Sequence, residues 1–106
     1  MEFNQLEYVT EVADTGSFSK AAANLFYSQP ALTQQIGKLE KELGIQLFNR
    51  AHGSVSLTEA GSVFVQYARD IINSKKEVLS AMNDFAQNRS GSITVLLPME
   101  RGSKMM

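Results

Sequence analysis

Two serines and a glycine divide residues 17–44 (SFSKAAANLFYSQPALTQQIGKLEKELG) into a short helix, a tight turn and a longer helix. No other stretch of the chain constrains the fold as strongly. Ser17 can cap the first helix, expected over Phe18–Leu25, by accepting a bond from an otherwise free backbone N–H of its first turn. Ala21, Ala22 and Ala23 favour helix and leave room for a second helix to approach closely. Phe26 and Tyr27 carry the turn. Ser28 caps the longer helix, and Pro30 falls in its first turn, where a missing N–H breaks no bond. Gly44, after Leu43, is a stop signal, because glycine reaches the left-handed conformation in which helices commonly end.

Stepping about 100° per residue from Leu32 places Leu32, Ile36, Leu39 and Leu43 in one narrow stripe, the mark of a core face. The opposite side carries Pro30, Gln34, Gly37 and Lys41, flanked by Thr33 and Lys38, with Gln29 at the N-terminal tip. Amides can bond an adenine edge bidentately, and lysines suit phosphates. The helix pair is therefore a candidate helix-turn-helix. An ordinary two-helix corner with a solvated polar face is the other reading this pattern allows.

The flanking segments complete a small domain. Phe3, Leu6, Val9 and Ala13 share a helical face within residues 3–14, with Val12 beside it, and Asp14-Thr15-Gly16 ends that helix. It is expected to pack across the pair and close a three-helix core, with Glu2, Glu7 and Glu11 turned to solvent. After Gly44 the period changes. Ile45, Leu47 and Phe48 form a short β-like run, turn residues follow over Asn49–Ser54, and Val55 and Leu57 alternate with Ser56. Two short strands around a polar tip make a wing that can lie beside DNA. Arg50 and His52 sit near that tip. The lone histidine has no second His, Cys or carboxylate cluster to make a metal site with. His52 as a phosphate or groove contact and His52 as a plain loop residue are equal readings.

Thr58 opens a long helix, expected to reach Asn88. Phe64, Ala68, Ile71, Lys75, Val78, Met82 and Phe85 follow a strict 4-3-4-3 spacing, and Val65, Ile72, Leu79 and Ala86 form a second row beside them. So wide and long a stripe exceeds what the preceding residues can bury, so a partner helix is expected, by default from a second copy of the chain. The dimerisation surface is assigned to Phe64, Ala68, Ile71, Ile72, Val78, Leu79, Met82 and Phe85. Lys75 interrupts the seam, either to set register or with its stem carrying the charge out to solvent. Beyond it, Gln87–Gly91 (QNRSG) is a linker, and Ile93–Leu97 reads as a short buried-type strand with nothing left to pair with. That orphan strand suggests the front of a longer protein. The tail Glu100–Met106 carries little information.

Composition narrows the function classes. A chain of 106 residues suits one compact domain with an appendage. Without cysteine there is neither a disulfide frame nor a thiolate metal site. No apolar run approaches the ~20 residues that span a bilayer, and MEFNQLE lacks the make-up of a signal peptide. A soluble, cytoplasmic protein is expected. One histidine, no cysteine and no carboxylate pair leave no catalytic constellation to nominate, so the chain is not expected to be an enzyme. The net charge of −1 is unevenly spread: residues 1–30 carry −3 and residues 31–53 carry +1. With no strong basic footprint, DNA binding would lean on a few contacts and on dimerisation.

At this point a family resemblance comes into view. Ser17–Phe26 (SFSKAAANLF), Ser28–Leu32 (SQPAL), Gln35-Ile36, Leu39-Glu40, Leu43-Gly44, Leu47–Arg50 (LFNR) and Leu57–Gly61 (LTEAG) match, in order and spacing, the N-terminal domain of LysR-type transcriptional regulators over about residues 1–90. The resemblance implies a mainly α fold: a winged helix-turn-helix (three-helix core with a short β-hairpin wing) over residues 1–57, then a long dimerisation or linker helix over 58–88. Residues 89–106 would hold a hinge, the start of an effector domain and the tail, with Gly91–Pro98 (GSITVLLP) similar to that domain's opening strand. It implies that Gln29, Pro30, Thr33 and Gln34 face base edges or nearby sugar-phosphate, that Ser28, Lys38 and Arg50 position the backbone, and that the wing, with His52, approaches the adjacent backbone or minor groove. The implied partners are double-stranded DNA and a second copy of the chain, with higher assembly open to a full-length protein. No cofactor is implied here, since a small-molecule inducer would bind the absent C-terminal domain.

Two departures stand out. Gly37 and Gly53 occupy positions where many members carry a basic residue, which should make binding less salt-steep by roughly 0.9 log units per lost contact. The reading that competes with DNA binding is a protein-interaction module built on the long amphipathic helix.

Overall fold

The computed structural model of the protein describes residues 1–51 and 54–88. Four helices and one hairpin follow in the order α1 (Phe3–Thr15), α2 (Phe18–Asn24), α3 (Gln29–Leu43), β1 (Phe48–Asn49), β2 (Ser56–Leu57) and α4 (Glu59–Asn88). Each helix begins or ends where local chemistry directs it. The Ser17 hydroxyl accepts from the Lys20 N–H (3.1 Å) and the Ser28 hydroxyl from the Ala31 N–H (3.2 Å). Gly16 and Gly44 take left-handed conformations at the ends of α1 and α3. Glu2, exposed as expected, also builds the N-terminal capping box of α1 with Gln5. Glu11, placed on the same solvated face, accepts from Asn24 Nδ2 (2.8 Å) and so ties α1 to the end of α2.

The chain divides into two compact units, Met1–Asn73 and Ser74–Met106. The first contains α1, α2, α3, the hairpin and the opening turns of α4. Val9, Val12, Phe18, Ala21, Ala22, Leu32, Ile36, Leu39, Leu47, Phe48 and Val65 form its core. The Phe18 and Phe48 rings meet edge to face at 5.9 Å, joining α2 to the first strand. Tyr8 and Tyr27 stack at 5.2 Å, and the Tyr8 hydroxyl is pushed above the ordinary tyrosine value, first by burial and then by Tyr27. This unit extends past the boundary expected at residue 57, because Gly61, Val65 and Ala68 of α4 are buried in it.

The hairpin is smaller than the alternation suggests. Phe48 pairs with Leu57 and Asn49 with Ser56, antiparallel. Ile45, read as the start of the strand, lies outside it and is exposed, whereas Leu47 and Phe48 are buried. Gln87 and Asn88, read as the start of the linker, are the last residues of α4, while His52, Gly53, the rest of the linker and the strand and tail expected after it lie outside the described residues.

Candidate nucleic-acid interface

The polar face of α3 is oriented by what its other face buries. Leu32, Ile36 and Leu39 are fully enclosed, which leaves Gln29, Pro30, Thr33, Gln34, Lys38 and Lys41 on the exposed side. Among the described residues, none of these makes a side-chain hydrogen bond or ion pair. The neighbouring amide behaves differently. Gln35 accepts from Gln5 Nε2 (3.2 Å) and so locks α3 to α1, with Gln5 itself buried. Two adjacent glutamines thus divide between a structural and an outward role. Ser28 accepts the cap bond of α3 on its hydroxyl oxygen, which leaves its proton free to be donated elsewhere.

One residue to which the sequence assigned no role beyond the matched Leu39-Glu40 pair organises the wing. Glu40 is buried on α3, and its Oε2 accepts from the backbone N–H groups of Leu47 (2.8 Å) and Phe48 (3.3 Å). Its other oxygen accepts from the Arg50 guanidinium at 3.1 Å. That guanidinium also lies over the Phe18 ring, 5.1 Å from its centroid. Arg50, assigned to DNA backbone positioning, is therefore first a structural residue that holds the end of the first strand against α3 and α2. It is still 36% exposed, and a guanidinium has five N–H donors, so donors are left over for an outside acceptor. A sequence signal for Glu40 did exist: it lies four residues after Ile36, on the edge of the buried stripe.

The start of α4 completes the fastening. Thr58 donates its N–H to the Leu47 carbonyl (2.9 Å) and its hydroxyl to the Gln46 carbonyl (2.8 Å). The same hydroxyl accepts the Gly61 N–H (2.9 Å), which caps α4. Gly61 packs so tightly that a Cβ there would stand 2.0 Å from the Leu47 carbonyl oxygen. The Leu57–Gly61 motif is therefore a docking joint between hairpin and helix. Arg69 then binds Asp14 of α1 at 2.7 Å, which raises the arginine above its already high value.

The surface assigned to a partner helix splits. Ala68 is 1% exposed, so its own chain already covers it, and Phe64 is half-buried against the core of the first unit. The spacing Gly61, Val65, Ala68 turns this face of α4 inward, and the assignment of Ala68 to a partner is corrected accordingly. Ile71 is exposed and Ile72 half-buried. In the second unit Val78, Leu79, Met82 and Phe85 are all more than half exposed.

Residues 3–62 match the family described as bacterial regulatory helix-turn-helix protein, lysR family. The chain is 43% identical over 102 residues to the uncharacterised HTH-type transcriptional regulator YcgK of Bacillus subtilis (strain 168), a match covering 96% of this chain and 32% of that one. It thus spans about a third of that relative's length. Among solved structures, the complex of the BenM DNA-binding domain with catB site 1 DNA superposes with a TM-score of 0.81 at 39% identity, covering 88% of this chain and 100% of that one. The complex of the CbnR DNA-binding domain with DNA gives a TM-score of 0.70 at 37% identity, covering 86% and 100%. A helix pair with one buried and one unpartnered polar face, a pinned hairpin beside it and these likenesses agree: the chain belongs to the lysR family of bacterial regulatory helix-turn-helix proteins and carries that family's winged DNA-binding fold.

Proposed function

We propose that the protein binds double-stranded DNA in a sequence-specific way as a homodimer, and acts as a transcription regulator rather than as an enzyme. The α3 helix enters the major groove, and the wing lies along the adjacent backbone or minor groove. The observation that carries this reading is the contrast on α3: Gln29, Thr33, Gln34 and Lys38 are exposed and unpartnered among the described residues, while Gln35 and Glu40 are tied into the fold. Gln34 and Gln29 read base edges, with Thr33 and Pro30 against neighbouring bases or sugars, and Ser28, Lys38 and the outer donors of Arg50 bond phosphates. That BenM and CbnR domains of this shape were solved on DNA supports the docking.

Dimerisation rests on Val78, Leu79, Met82 and Phe85, with Ile71 and Ile72 extending the seam on α4. Four large apolar side chains this exposed on successive turns of one helix are best covered by the same helix of a second copy. The target is then a pair of symmetric half-sites separated by helical turns of DNA. A cytoplasmic location follows from that role, and among the described residues no helix is long and apolar enough to cross a membrane. A small-molecule inducer would be bound outside this chain.

The test is a fluorescence-anisotropy titration at physiological salt against promoter duplexes from the source genome, with scrambled controls. Preference of about 10³ for a few inverted-repeat sites is expected. Gln34→Ala should cost about 1–3 kcal/mol at the preferred site and relax base preference there, while Lys38→Ala weakens all duplexes alike. Equal weakening of cognate and scrambled duplexes by Gln34→Ala would remove it as a reader. Absence of binding to any duplex would return the protein-interaction reading.

A further inference from the structure

Three helices of the first unit end on a left-handed residue. At the ends of α1 and α3 that residue is glycine, Gly16 (φ 67°) and Gly44 (φ 73°). At the end of α2 it is Phe26 (φ 56°), the only non-glycine residue with positive φ among the described ones. The backbone requires the conformation there. The Tyr27 N–H reaches back to the Ala22 carbonyl (2.9 Å) and the Phe26 N–H to the Ala23 carbonyl (3.2 Å), the paired closure that ends helices on a left-handed residue. It does not require a phenyl ring. A bulky side chain is a steric outlier in this region, where glycine or asparagine sits at ease.

Nor does the ring repay the fold with packing. Phe26 is 97% exposed, whereas its neighbour Tyr27 stacks on Tyr8 and Leu25 packs against the core. Phe26 takes part in no ring contact among the described residues. Strained backbone combined with a fully solvated aromatic ring points to a role outside the fold.

Its position says what it meets. Phe26 lies two residues before Ser28, the cap of α3, and three before Gln29. In helix-turn-helix docking the first helix crosses the DNA backbone and the N-terminal residues of the second reach base edges, so the turn between them lies at the rim of the groove. The apolar surface at that rim is the C–H face of deoxyribose. Resting on the DNA-binding reading above, we infer that Phe26 packs its ring on the sugar edge of the backbone beside the groove that α3 enters. This contact involves no charge and reads no base, so it adds affinity independently of both sequence and salt.

The experiment uses the full chain with Phe26→Asn, which suits the left-handed backbone but lacks the ring, and Phe26→Tyr, which keeps the ring. Each is measured by thermal melting and by anisotropy on cognate and mixed-sequence duplexes across a salt series, with Gln34→Ala alongside. Expected for Phe26→Asn are an equal or higher melting temperature and binding weakened about tenfold on every duplex, with an unchanged slope of log K against log salt. Phe26→Tyr should bind as the parent does. The inference is overturned if Phe26→Asn binds normally, if its loss is confined to one sequence, or if it melts well below the parent. If Gln34→Ala still loses base preference while Phe26→Asn binds normally, only the Phe26 contact fails. If the parent binds no duplex, the DNA-binding reading fails with it.

Discussion

Replacing Glu40 by alanine should unfasten the wing from α3 without touching any residue of the wing itself. The carboxylate accepts two backbone N–H groups and one guanidinium. Hydrogen bonds to a charged group contribute about 1.5–3 kcal/mol each, and a buried N–H left without a partner costs about 1–3 kcal/mol. The Leu47 bond is short and the Phe48 bond, at 3.3 Å, is long, so the pair together should be worth about 3 kcal/mol. Arg50 is more than a third exposed, and its ion pair adds at most about 1 kcal/mol. A loss of about 3 kcal/mol is a large part of the total of about 5–15 kcal/mol that holds such domains together. It corresponds to a fall in Tm of about 12–24 °C. Urea denaturation gives the energy, and amide hydrogen exchange at Leu47 and Phe48 gives the location. Glu40→Gln, which retains one oxygen acceptor, should cost about half as much, and Arg50→Ala about 1 kcal/mol. If Arg50→Ala proves as costly as Glu40→Ala, the ion pair and not the backbone amides holds the wing, and the reasoning fails.

Three other substitutions probe two glycines, Gly61 and Gly37. Gly61→Ala places a methyl group 2.0 Å from the Leu47 carbonyl oxygen and 2.9 Å from Leu57 Cδ2, and should destabilise the fold by about 3 kcal/mol; an unchanged denaturation midpoint would show that hairpin and helix approach less closely than described. At Gly37 nothing lies within 4 Å of an added Cβ, so Gly37→Ala should stabilise by about 0.5–1 kcal/mol. Gly37→Arg should further steepen the salt dependence of DNA binding by about 0.9 log units per decade, and an unaltered slope would place residue 37 away from the phosphates.

The parts of this fold legible in the sequence are those set by short-range chemistry. The serine caps at Ser17 and Ser28, the stop at Gly44 and the Thr58 cap act over three or four residues, and each sits where the residue types demand. The helical period alone placed Leu32, Ile36 and Leu39 in the core and turned Gln34 and Lys38 outward, whereas Leu43, read as the fourth member of that stripe, is 40% exposed at the end of α3. The wing was visible as a change of period, though its strands are two residues long, with Ile45, Leu47 and Val55 all outside the pairing.

What periodicity cannot report is which neighbour covers a face. The 4-3-4-3 row on α4 runs through Phe64, Ala68 and Ile71, is interrupted by Lys75 and resumes at Val78, Met82 and Phe85, and nothing in its spacing separates residues buried by their own chain from residues left open. Tertiary packing drew that line: in the first unit the joint at Gly61 brings the start of α4 onto the wing and Val65 and Ala68 are buried, and in the second unit Val78, Leu79, Met82 and Phe85 are exposed. The same holds for polar groups. Glu40 and Glu42 look alike as charges, as do Gln34 and Gln35 as amides. Yet Glu40 is buried against the amides of Leu47 and Phe48, and Gln35 is held by Gln5, thirty residues away in the chain. The helices, their ends and the direction of the α3 surface were legible along the chain, because they depend on neighbours in sequence. Which polar and apolar groups are spent on the fold and which are left for a partner was settled by packing in three dimensions, because that depends on neighbours in space.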